Sequence, residues 1–126
     1  MPTYDTVRFS PPAPLAIIEL RNAATGEILR DVPMLLDTGA DVTLLPRGCV
    51  NQLQIPSDPS HVYELVAFDG TRTAAIAVHL DLIFLGLTFR GLFGIIDQPD
   101  GILGRNILNH LNLKLNGPAL LWEPVR

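Results

Sequence analysis

The sequence predicts an all-β fold, and three observations carry the prediction. Short apolar runs rich in Val, Ile, Leu and Thr recur between turn clusters. Two of the longest runs are separated by Asp69-Gly70, the strongest short hairpin signal. Only one segment, Arg105 to Leu111, places apolar residues (Ile107, Leu108, Leu111) at helical spacing.

In chain order, residues 1–13 hold Pro2, Pro11 and Pro12 and predict an extended N-terminal arm. Leu15 to Arg21 is a strand, ended by the turn cluster Asn22 to Gly26, and Glu27 to Leu36 returns beside it. Pro33 lacks a ladder N–H, so it belongs at an edge or a bulge. Asp37 to Asp41 interrupts the apolar run, which resumes over Val42 to Leu45 and stops at Pro46. Residues 47–60 form a loop with a short helical turn at Gly48 to Leu53. His61 to Phe68 and Thr71 to Ile83 make the hairpin, Leu85-Gly86 is a turn, and Leu87 to Ile96 is a strand. Gly101 to Gly104 leads into the helix, and Asn112 to Leu115 and Ala119 to Trp122 close the chain as strands. This gives seven or eight strands and one short C-terminal helix.

With 126 residues the chain has the length of one domain, taken as 1–126, large enough to bury a core without staples. Apolar residues make up 48% and charged residues 17%, and mean hydropathy is +0.29. That apolar excess over ordinary domains predicts surface covered by a second copy. Net charge is −4 and Lys114 is the only lysine, which argues against a nucleic-acid partner. A single cysteine, Cys49, excludes an internal disulfide and reads as a buried, inert thiol. No apolar run reaches the ~18 residues of a membrane span and no leader pattern is visible, so a cytoplasmic location without membrane contact is expected.

The stretch that carries chemistry is Met34-Leu35-Leu36-Asp37-Thr38-Gly39-Ala40-Asp41. A carboxylate directly after three core-type residues is costly unless it is bonded or used. Alone, Asp-Thr-Gly reads as a turn whose Asp caps nearby amides. Downstream stands Gly101-Ile102-Leu103-Gly104-Arg105-Asn106, an apolar pair between glycines opening a helix.

Together these two segments resemble the retroviral-type, or retropepsin-like, aspartic proteases, over roughly residues 15–116 and in the same order. The resemblance implies a retropepsin-like acid-protease β-barrel whose Asp69-Gly70 hairpin is the flap. It also implies an aspartic endopeptidase that cuts extended, largely apolar peptide or protein segments without a cofactor or metal. Its chemistry needs two facing aspartates, and this chain carries one Asp-Thr-Gly. The second must come from Asp37 of another copy, so the active form is a symmetric homodimer with Asp37 as the catalytic residue of each chain.

Position by position, the resemblance assigns Thr38 to a hydrogen bond across the dyad. Gly39 would present its carbonyl to substrate, and Ala40 would keep the approach open. Asp41 and Arg105 would brace the site as an ion pair. Val42, Ile76, Asp100 and Ile102 would wall the substrate cleft, with the flap residues Phe68, Asp69, Gly70 and Thr71 above it. Asp100 stands where the family has an apolar wall residue. Trp122, on a terminal strand, reads as an interface anchor. His61, His79 and His110 show no metal spacing beyond His79-x-Asp81, and a structural role is expected for them. Two rivals stand beside the protease reading: a catalytically silent retropepsin-fold binding or dimerisation module, and a structural barrel whose Asp-Thr-Gly is only a turn.

Overall fold

A computed structural model describes residues 2–67 and 69–126. Strand β2 (Ala13–Arg21) and strand β3 (Ile28–Leu36) form the first antiparallel pair, with a register slip between Ile18 and Leu20. Pro33 faces Ile17 in that pair, and the other flank of β3 is paired only from Met34 onward. Proline therefore sits where no ladder donor is missed, as its chemistry requires.

Strand β4 (Leu44–Pro46) leads straight into helix α1 (Arg47–Gln52). Strands β5 (Asp58–Val66) and β6 (Arg72–Phe84) form the predicted hairpin, and β7 (Leu87–Ile96) pairs with the other edge of β6. The tip closes through Ala67 N–H to the Thr71 carbonyl at 2.9 Å, with Gly70 at φ 87°, a left-handed turn that suits glycine. Strand β8 (Gly101–Leu103) lies between β3 and β4, parallel to the first and antiparallel to the second. Helix α2 (Arg105–Leu108) follows, and β9 (Leu113–Asn116) and β10 (Leu121–Pro124) make a separate terminal hairpin. Strand β1 (Tyr4–Asp5) lies along the start of β2.

The main sheet runs β1-β2-β3-β8-β4-β7-β6-β5, and a further pairing of β2 with β6 closes it into a ring. Inside the ring pack Ile18, Leu20, Met34, Leu45, Val78, Leu82 and Leu103, all buried, so apolar transfer holds the barrel closed.

Three expectations are corrected. The chain has two described helices, and α1 is the longer, although nothing in its sequence caps it. Val50 in α1 and Leu53 just after it are buried in the core, and that tertiary burial makes a helix of a segment with weak intrinsic preference. Helix α2 stops at Leu108 rather than Leu111, because His110 N–H and Leu111 N–H bond three residues back, to Ile107 and Leu108, and tighten the final turn. The extended arm folds back on its own chain: Thr3 bridges to Leu121 and β1 pairs with β2. Trp122, in turn, is a core residue of its own protomer, 2% exposed, packed on Phe84 with its indole N–H donating to the Leu15 carbonyl at 2.9 Å. No helix among the described residues is long and apolar enough to cross a membrane.

The seam where β2 meets β6 carries a buried charge. Asp81 is fully buried and faces Arg21 across one strand boundary and Arg90 across the other. Arg21 donates twice to Oδ2, at 3.0 and 2.9 Å, and Arg90 Nε donates to Oδ1 at 3.0 Å. The Arg90 hydrogen bond, joined by that of Arg21, holds this carboxyl below the usual aspartate range against the opposing pull of desolvation. A carboxyl lowered on folding stabilises the fold fully above its unfolded pKa, and the contribution fades as pH falls through the lower folded value. Asp81→Asn is expected to cost about 2–4 kcal/mol at neutral pH. The gap from the parent protein should narrow below about pH 4, as urea denaturation across pH will read.

Candidate active site

Three short elements converge on Asp37. Strand β3 delivers it at its C-terminal end, β8 lies alongside, and α2 begins directly beneath the loop. Asp37 N–H donates to the Leu103 carbonyl at 3.1 Å, which extends the β3–β8 ladder by one step. Its Oδ1 accepts the Gly39 N–H at 2.9 Å. A Cβ on residue 39 would stand 3.1 Å from that same oxygen, so a larger residue here would press the carboxylate a few tenths of an ångström aside. Among the described residues, Oδ2 of Asp37 takes no hydrogen bond.

The loop is pinned from below. Arg105 N–H donates to the Ala40 carbonyl at 2.8 Å, and Arg105 Nη1 donates to the Thr38 carbonyl at 2.7 Å. This corrects the expected Asp41–Arg105 ion pair. The Thr38 carbonyl takes the guanidinium and the Ala40 carbonyl takes the Arg105 N–H, while Asp41 is exposed. Arg105 thus braces the site through backbone, not through charge.

Thr43 is a residue that sequence reasoning missed. It is fully buried, accepts the Gly104 N–H at 3.0 Å and donates to Asn106 Oδ1 at 2.7 Å. These bonds lock the Asp37 loop to the start of α2. The signal was available: a hydroxyl inside the apolar run Val42-Thr43-Leu44-Leu45 must find partners once buried.

Asp37 opens onto a cleft of about 550 Å³ lined by Gly39, Ala40, Asp41, Val42, Leu44, Arg105 and the Glu64–Ala67 end of the hairpin. Of the expected wall and tip residues, the structure brings Val42 here. Ile76 is half-buried in the β5–β6 ladder opposite Val62, and Ile102 is half-buried between Leu35 and Leu44. Asp100 is drawn away from the cleft: its Oδ1 lies 2.9 Å from Arg8 Nη1 of the N-terminal arm, and that cation explains an acid at this position. Asp69, Gly70 and Thr71 form the hairpin tip outside the cleft lining, with Asp69 Oδ1 accepting the Thr71 N–H at 2.9 Å. Phe68 lies outside the described residues. A larger hollow of about 660 Å³ sits under the arm, but its one acid, Asp5, is already engaged by Arg8 at 2.9 Å.

Residues 29–110 match the family model described as "gag-polyprotein putative aspartyl protease". The chain belongs to this retropepsin-like family. The match spans the Asp37 loop, the hairpin and the Gly104–Arg105 helix start, the segments that build the cleft. Among solved structures the chain resembles EIAV protease complexed with the inhibitor HBY-793. That likeness has a TM-score of 0.58 at 21% identity, over 84% of this chain and 91% of that one, and it establishes the shared fold. No curated protein sequence matches the chain significantly.

Proposed function

We propose that the protein is an aspartic endopeptidase whose active form is a two-fold dimer, with Asp37 of each protomer meeting at the axis. The observation that carries this reading is the state of Asp37: one oxygen held by Gly39, the other without a partner among the described residues, on a braced loop facing a cleft. A carboxylate serving only as a turn cap would need neither the bracing from α2 nor the cleft.

Two carboxyls within sharing distance hold one proton between them over a window of pH, and the acid-protease dyad is the reference case. In that state the ionised member removes a proton from a water held between them. The water oxygen bonds to the peptide carbonyl carbon, and the protonated member donates to the carbonyl oxygen. The tetrahedral adduct then returns a proton to the nitrogen as the C–N bond breaks, leaving one acid and one amine. Thr38, exposed on the loop, is positioned for a contact with the partner's loop, and Gly39 for a backbone bond to an extended peptide.

The hairpin acts as the flap in this reading. Leu65, Val66 and Ala67 already face the cleft and favour apolar side chains of a bound strand, while Glu64 and Asp41 give the rim negative charge. The terminal strands β9 and β10 pair with each other, and the dimer contacts of this proposal are those of the Asp37 loops and the hairpins.

Specific activity on an apolar peptide library should therefore rise with enzyme concentration and saturate together with dimer formation measured by sedimentation. It should also show two pH limbs, since the dyad works only with one proton. Turnover by a strict monomer, or a dimer with no cleavage across the acid range, would overturn the proposal.

A further inference from the structure

We propose that Asp58, His61 and His79 form a binding site for a divalent transition-metal ion of the zinc type, at the base of the β5–β6 hairpin. Asp58 Oδ2 lies 2.9 Å from His61 Nδ1 and 3.2 Å from His79 Nε2, and the three ligand atoms fall within 4.8 Å of one another. In a tetrahedral zinc site with bonds of ~2.0–2.1 Å, neighbouring ligand atoms stand ~3.3 Å apart. The two Asp–His distances already lie within about 0.4 Å of that separation, and the two ring nitrogens lie within 4.8 Å of each other.

The backbone explains the convergence. Asp58 pairs with Ala77 and the next paired residue, Val62, faces Ile76, so β5 spends extra residues against a single step of β6. That bulge folds His61 back toward Asp58, which a regular strand would place on opposite faces. His79 lies two residues beyond Ala77 on β6, diagonal to Asp58 across the strand pair. The spacing His79-x-Asp81 does not supply the ligands: Asp81 is taken by Arg21 and Arg90. The ligand set is assembled by the bulge, which no sequence spacing announces.

The chemistry of the set selects the ion. Two imidazoles and one carboxylate suit zinc, copper or nickel and disfavour magnesium or calcium, which prefer oxygen alone. Each ring presents a different nitrogen to one carboxylate oxygen, the rings crossing edge-on at 85°. The Ser60 hydroxyl bonds to Asp58 Oδ1, an outer contact that fixes the carboxylate and leaves Oδ2 for the ion. His61 and His79 are more than half exposed at their side chains, so an ion has a path in and water can complete the coordination. A bound ion would tie the start of edge strand β5 to β6, while the far end of β5 lines the Asp37 cleft.

Titration of the tag-free full chain with zinc chloride at neutral pH tests this. One ion per chain should bind with a micromolar or tighter dissociation constant, and magnesium should not compete. In the unmodified protein the His61 and His79 ring resonances should move on zinc addition while His110 stays unmoved. His61→Ala and His79→Ala should each weaken binding by at least ~10-fold, and the double variant should abolish it. Absence of saturable zinc binding below millimolar, undiminished binding in the double variant, or a response at His110 instead would overturn the site.

Discussion

Asp37→Asn is expected to abolish peptide hydrolysis while leaving the barrel unchanged. Asparagine keeps an oxygen where Asp37 Oδ1 accepts the Gly39 N–H, so the turn loses no hydrogen bond. What disappears is the group assigned to take a proton from water. In a symmetric dimer one substitution removes both members of the dyad, and no described neighbour can replace them. Asp41 and Glu64 also line the cleft, yet Asp41 stands four residues along the loop and Glu64 lies on the hairpin, so neither takes the place of Asp37 at the end of β3. The rate should fall at least ~10⁴-fold, the full range of a positioned acid–base pair, equivalent to about 5.4 kcal/mol of barrier. Dimers mixing one parent and one Asn chain should be as inactive as the variant itself, because the two carboxyls act as a unit. Unchanged circular dichroism and sedimentation would show that the loss is chemical. Equal turnover by parent and variant would refute the dyad and leave a binding module as the better reading.

The parts of this structure that were legible in the sequence are those set by local chemistry. Asp69-Gly70 fixed the hairpin because a left-handed glycine turn is a local demand. The polar break after Leu36 marked the strand end that presents Asp37. What was not legible depends on distant partners. Gly101 to Leu103 is too short to declare itself a strand, and becomes one only between β3 and β4. Helix α1 exists because Val50 and Leu53 are buried, not because its residues favour helix. Arg105 could be placed at the site but not aimed: whether it meets Asp41 or a carbonyl depends on how the 38–40 backbone turns. Asp100 looked like a cleft wall until the arm brought Arg8 against it. The same limit hid the meeting of Asp58, His61 and His79, which a strand bulge creates.

Gly104→Ala should damage both the fold and the site, and the two effects share one cause. A Cβ at this position would stand 2.4 Å from the Val42 carbonyl oxygen, 2.6 Å from its carbon and 3.0 Å from the Ala40 oxygen. These are backbone atoms, so no side chain can swing away to relieve the contact. Backbone conformation is not the obstacle, since φ is −91° and any residue could adopt it. Only the close approach of two chain segments requires glycine here. Relief would separate α2 from residues 40–42, against the Gly104–Thr43 and Arg105–Ala40 hydrogen bonds that join them. The expected cost is about 3 kcal/mol or more, lowering the melting temperature by about 10 °C or more. Below that temperature the folded variant should still lose ~10²-fold in kcat, because a shift of about 1 Å in the loop misplaces Asp37 at the dyad. Gly48→Ala is the control: its Cβ meets nothing within 4 Å and it lies within α1, so it should be neutral or stabilising by up to about 1 kcal/mol. If Gly104→Ala melts with the parent and keeps its turnover, then α2 does not hold the Asp37 loop in place, and the bracing argued for Arg105 and Thr43 falls with it.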